Sequence, residues 1–115
     1  FTPPSRFVRA AFFKATAPKW NTSWEAVQQA FHILNNFDIP IGIQFPKGQA
    51  PAGMMSATQF TAATDQKAMR FYYRTAYNSS IRCIDLKSVD FAKVKYQSHP
   101  LDDVKEEPVQ MLKIG

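Results

Sequence analysis

Three features of the 115-residue sequence predict an α+β fold. Two segments before position 40 carry apolar residues at helical spacing. From position 56 the pattern switches to a period of two, with Thr, Phe, Tyr and Ile enriched. Between these two patterns lies a connection dense in Pro and Gly. The length allows at most one domain, which at this size buries roughly two thirds of the surface of its unfolded chain.

The first helix is expected over residues 2–16. Thr2 is placed as its N-cap, and Pro3 falls at the first helical position, where its missing N–H is harmless. Its body, Phe7-Val8-Arg9-Ala10-Ala11-Phe12-Phe13, is apolar on nearly every face, the pattern of a buried helix. Little chain remains to cover such a helix, so part of its cover is expected from elsewhere. Arg6 needs its own account, because a guanidinium against an apolar wall must find partners. Read alone, it is a salt-bridging or snorkelling arginine.

Pro18 ends that segment, and a second helix is expected over 22–37. Thr22 and Glu25 have the T-x-x-E spacing of a capping box. Trp24, Val27, Phe31 and Leu34 form one apolar stripe, and His32 lies outside it as a solvated surface residue. Asp38-Ile39-Pro40 stops the helix. Residues 38–55, with Pro40, Gly42, Pro46, Gly48, Pro51 and Gly53, form a long connection of a kind that is often functional or disordered. It contains neither form of phosphate-binding glycine loop.

Strands are expected over 56–64, 69–77 and 80–87, separated by turns at Asp65-Gln66-Lys67 and Asn78-Ser79-Ser80, which makes an antiparallel meander. In the middle strand Met69, Phe71, Tyr73 and Thr75 would share one face, opposite Arg70, Tyr72 and Arg74. A last short strand is expected over 93–97, around Val94-Lys95-Tyr96. The charged tail, 98–115, is expected to run over a surface or onto a neighbouring subunit.

Fourteen basic and nine acidic residues give a net charge of +5. The tail holds Asp102, Asp103, Glu106 and Glu107 against Lys105 and Lys113, leaving twelve basic and five acidic residues, a net +7, on residues 1–97. Such a body suits an anionic ligand or a nucleic acid, and equally suits a piece whose compensating acids lie elsewhere. The opening Phe1-Thr2-Pro3-Pro4, without an initiating methionine or a leader, reads as the start of such a piece or as a processed terminus. No apolar run reaches the roughly 20 residues of a membrane helix. The single cysteine, Cys83, excludes an internal disulfide and a cysteine zinc site, and His32 and His99 have no ligand-like spacing, so no metal is expected. Cys83 reads as a small buried hydrophobe in its strand.

No catalytic constellation can be assembled from residue spacing alone. Paired carboxylates occur only in the tail, at Asp102-Asp103 and Glu106-Glu107, where solvation is expected. The run Arg70-Phe71-Tyr72-Tyr73-Arg74-Thr75-Ala76-Tyr77 supports a different reading, a stand-alone basic α+β nucleic-acid-binding domain using Arg70, Tyr72 and Arg74. Against this, the run lacks the glycine of the RNA-recognition strand, and the βαββαβ alternation is missing.

Three blocks carry a resemblance. Ser5-Arg6-Phe7 within Phe1–Phe12 resembles a segment of the choloylglycine hydrolase and penicillin V acylase family. Phe31-His32-Ile33-Leu34-Asn35-Asn36 is similar to that family's following helix. Tyr72–Tyr77 with Ile81–Leu86 is similar to its late tyrosine-rich hairpin. The blocks fall in the family's order, and Phe37-Asp38-Ile39-Pro40 is more similar to penicillin V acylase-like members of Gram-negative bacteria than to bile salt hydrolases.

The resemblance implies the C-terminal part of an N-terminal-nucleophile hydrolase, a four-layer αββα sandwich that cleaves linear amides. In such enzymes an N-terminal cysteine thiol attacks and its own α-amine acts as base. By motif, Arg6 corresponds to the arginine beside that thiol, where a cation favours the thiolate. The nucleophile, an early Arg and Asp, and the Asn residues of the oxyanion and binding region would lie upstream. Cys83 has no free α-amine and cannot replace the nucleophile. No cofactor is implied. The implied partners are the upstream part of the same hydrolase, a small N-acyl amide substrate and further copies in a homo-oligomer such as a homotetramer. Neither a membrane nor a nucleic acid is implied. The location would be periplasmic if the chain follows the Gram-negative penicillin V acylases, and cytoplasmic otherwise.

Overall fold

The computed structural model describes residues 3–40, 57–102 and 106–115. It divides into two compact units, Phe1–Ala57 and Thr58–Gly115. The division follows the two patterns of the sequence, one unit helical and the other a sheet.

The helical unit contains α1, Pro3–Thr16, and α2, Ser23–Asn35. The expected Thr2 cap lies outside the described residues. At the other end of α1, the Ala17 amide donates to the Phe13 carbonyl at 3.0 Å and the Thr16 hydroxyl donates to the Phe12 carbonyl at 2.9 Å, before Pro18 stops the ladder. In α2 the Thr22 half of the capping box forms: Thr22 is extended and its hydroxyl accepts from the Glu25 amide at 3.2 Å. The helix ends two residues earlier than expected because Asn36 caps it, its side-chain amide donating to the carbonyls of His32 at 3.3 Å and Ile33 at 3.1 Å. Val27 and Phe31 of the apolar stripe are buried, while Trp24 at its start is 49% exposed. His32 is exposed.

The expectation of a buried first helix is not met within the described residues. None of α1 is buried, and Phe7, Val8 and Phe12 are 75%, 64% and 63% exposed. One neighbouring helix can cover one stripe of α1, and the side chains of α1 point all round it.

In the sheet unit, β1 (Phe60–Asp65), β2 (Arg70–Thr75) and β3 (Arg82–Asp85) form an antiparallel meander in the order β1-β2-β3. Phe60 pairs with Thr75 and Asp65 with Arg70 across the first hairpin, and Arg70 pairs with Asp85 across the second. The strands are shorter than the sequence pattern suggested because the turns are longer. Met69, expected to begin the middle strand, sits in the left-handed region at φ 56° and closes the first turn, while the Asp65 carboxylate accepts from the Ala68 amide at 3.0 Å. Leu86 and Lys87, expected as the end of a strand, instead open a 3-10 turn, Leu86–Ser88, capped by the Asp85 carboxylate at the Lys87 amide, 3.0 Å. The strand expected over 93–97 does not form. Instead the Lys93 and Val94 amides fold back onto the Asp90 carbonyl at 3.1 and 2.9 Å, and the chain beyond has no ladder partner among the described residues. No helix of the described residues is long and apolar enough to cross a membrane.

Candidate active site

Arg6 lies about one turn into α1, on the face turned toward α2. Pro3, Arg6, Phe7 and Ala10 from α1 and Leu34 and Phe37 from the end of α2 line an open groove of about 400 Å³. The walls are apolar and the one charge on them is the Arg6 guanidinium. Arg6 is exposed and has no hydrogen bond or ion pair to another described residue. A cation so placed can meet an anion or a polarised carbonyl at the end of an apolar group, the combination of apolar wall and sparse polar groups typical of small-molecule sites.

A second arginine, which sequence reasoning counted into the apolar body of α1, fastens that helix. Arg9 donates through Nη1 to the Asn36 carbonyl at 3.2 Å, and its guanidinium lies 5.1 Å from the centroid of the Phe37 ring. Phe37 also meets Phe13 edge-on, with ring centroids 6.5 Å apart. The available signal was the i, i+3 spacing of Arg6 and Arg9, which puts two cations on neighbouring positions of one helix face.

The other cluster of charge lies in the sheet unit. Arg82 Nη2 meets Asp102 Oδ1 at 2.6 Å, and Arg82 Nη1 donates to the carbonyls of Asn78 and Ser80 at 2.8 and 2.7 Å. The same guanidinium lies 4.8 Å from the centroid of the Tyr73 ring. Thr75, itself buried, donates its hydroxyl proton to the second oxygen of Asp102 and accepts from the Asn78 amide at 3.2 Å. Asp102, expected to be solvated in the tail, therefore retains only 9% side-chain exposure. This clasp fixes the second turn and the start of the tail to the sheet.

The nucleic-acid reading finds no platform. Tyr72, its central stacking residue, is 6% exposed. Arg70 is held above its ordinary pKa first by a hydrogen bond with Tyr72, then by the charges of Tyr72 and Asp85. Cys83 is exposed rather than buried, because its end of a short edge strand has no covering layer among the described residues. Those residues hold no group of three His, Cys, Asp or Glu side chains able to bind a metal.

Comparison with known proteins places these features in a class. The profile of the linear amide C–N hydrolases, choloylglycine hydrolase family, matches residues 1–107. The chain belongs to the choloylglycine hydrolase family of linear amide hydrolases. It is similar to a bile salt hydrolase/transferase of Lactiplantibacillus plantarum, 32% identical over 97 residues that cover 84% of this chain and 29% of that protein. A penicillin V acylase of Pectobacterium atrosepticum is 25% identical over 99 residues, covering 76% and 25%. Among solved structures, a conjugated bile acid hydrolase from Clostridium perfringens matches with a TM-score of 0.68 at 24% identity, over 98% of this chain and 32% of that one. That match agrees with the α+β class. The chain spans between a quarter and a third of the length of these relatives.

Proposed function

We propose that this chain is the C-terminal part of a cysteine N-terminal-nucleophile amidohydrolase and that Arg6 is its active-site arginine. The observation that carries the reading is Arg6 itself: a cation in the Ser5-Arg6-Phe7 motif, exposed on an apolar helix and unpaired among the described residues. The family to which the chain belongs, and the partial coverage of its relatives, support it.

In this reading the upstream polypeptide supplies the cysteine. Its α-amine, with an ordinary pKa near 8, accepts the thiol proton, and the thiolate attacks the amide carbonyl to leave a thioester and a free amine. Arg6 stabilises the thiolate and orients the amide, with the apolar groove beside it receiving part of the acyl group. Water then cleaves the thioester. Candidate substrates are penicillin V, conjugated bile salts and N-acyl homoserine lactones.

The test is reconstitution with the upstream polypeptide, assayed on penicillin V and glycocholate. Residues 1–115 alone are expected to show no turnover, since Cys83 lacks a free α-amine, and the joined protein is expected to hydrolyse at least one of the two. Arg6→Ala in the joined protein is expected to lower kcat by on the order of 10²–10³-fold, as for loss of a preorganised electrostatic group. Near-full activity in that variant would leave Arg6 a structural residue.

A further inference from the structure

We propose that Arg9 is a positioning residue for Arg6, setting the roll of α1 against the C-terminal end of α2. The proposal rests on the reading of Arg6 given above, and it assigns a residue to which the motif itself gives no role.

The geometry supplies the mechanism. Among the described residues α1 buries none of its own side chains, so what holds it against α2 there is specific contact rather than broad apolar packing. Arg9 makes two such contacts with adjacent residues of α2's end. Its Nη1 donates to the Asn36 carbonyl at 3.2 Å, at the end of α2 where carbonyls lack intrahelical partners and the helix dipole is negative. Its guanidinium also faces the Phe37 ring at 5.1 Å, a cation–π contact. Phe37 in turn lines the groove with Arg6, so one ring is shared between the anchoring arginine and the site. The Arg9 Nε is shielded from solvent and has no acceptor among the described residues. The side chain keeps this path even with one donor unmatched there, so the carbonyl and the ring dictate its position.

Arg6, Arg9 and Phe13 lie along one stripe, so a roll of α1 that breaks the Arg9 contacts swings Arg6 by the same angle. A side-chain tip about 6 Å off a helix axis moves roughly 1 Å for a roll of about 10°. Misplacement by about 1 Å costs catalysis on the order of 10²-fold.

The experiment uses the joined hydrolase with penicillin V or glycocholate, whichever it turns over. Arg9→Met keeps the length of the stem and its packing on Phe37 but removes the charge and the hydrogen bond. Its kcat is expected to fall by about 10- to 100-fold, with KM changed less than about threefold and circular dichroism unaltered. Arg9→Lys keeps a cation without the planar fork and is expected to recover most of the loss, to within about two- to tenfold of wild type. Should Arg9→Met not fold, Arg9→Gln, which removes the charge and the fork, is read in its place with the same expected loss. Combined with Arg6→Lys, which keeps a cation at the site and is expected to retain measurable turnover, Arg9→Met is expected to cost much less than it does alone, because one residue acts through the other.

Wild-type kcat in Arg9→Met, or in Arg9→Gln if only that variant folds, overturns the proposal while leaving the Arg6 reading intact. So does a full, additive loss in the double variant. Full turnover in Arg6→Ala removes the Arg6 reading and this proposal together.

Discussion

Arg82 and Arg6 are both arginines on regular elements of a basic chain, and the fold treats them in opposite ways. Arg82 finds a carboxylate, two carbonyls and an aromatic face within its own unit. Arg6 finds none of these among the described residues and stands on the wall of an apolar groove. A guanidinium fully occupied by its own fold can stabilise structure and little else, because its donors are already directed. One left without partners is available to a ligand. The contrast separates the structural arginine from the candidate catalytic one without appeal to charge alone.

The widest way to break that comparison is to truncate both residues and read activity and stability together. Arg6→Ala carries the largest expected effect on turnover, as given above, yet should change unfolding free energy by less than about 0.5 kcal/mol, since it removes no hydrogen bond or ion pair among the described residues. A denaturant titration showing a loss of several kcal/mol would erase the distinction. Removing the partner in the clasp, by Asp102→Ala, leaves Arg82 and Thr75 without their acceptor in a half-buried setting and should destabilise by about 1–3 kcal/mol, visible as a lower urea midpoint. Turnover per folded molecule should stay unchanged.

Two smaller effects sharpen the picture. Thr22→Ala removes the N-cap acceptor of α2 and should cost about 1 kcal/mol by the same titration, without touching the Arg6 side chain. An RNA titration at low ionic strength should be flat, and Tyr72→Ala should lower stability without altering that baseline. Salt-sensitive binding lost in Tyr72→Ala would revive the nucleic-acid reading.

Much of the fold was legible because its signals are local. The Thr22-x-x-Glu25 spacing located the start of α2, and the alternation through Phe71 and Tyr73 located β2, whose rings lie 6.1 Å apart on one face. Element ends were less legible. Asn36 capping α2, Met69 in the left-handed region and the 3-10 turn at Leu86–Ser88 depend on hydrogen bonds that compete with ladder formation. The candidate site was half legible: Arg6 stood out through its motif, whereas Arg9 was hidden in an apolar run.

The order of helices and strands, the family motif and the basic character of the chain are properties of neighbouring residues, and the sequence determined them unaided. Three-dimensional packing alone decided that Arg9 closes on the end of α2, that Asp102 leaves the solvated tail for Arg82, and that Tyr72 is closed to a stacking base. Each joins groups up to 27 residues apart or depends on what covers a face. Such contacts are set by the shape of the packed elements, and residue-to-residue periodicity carries no record of them.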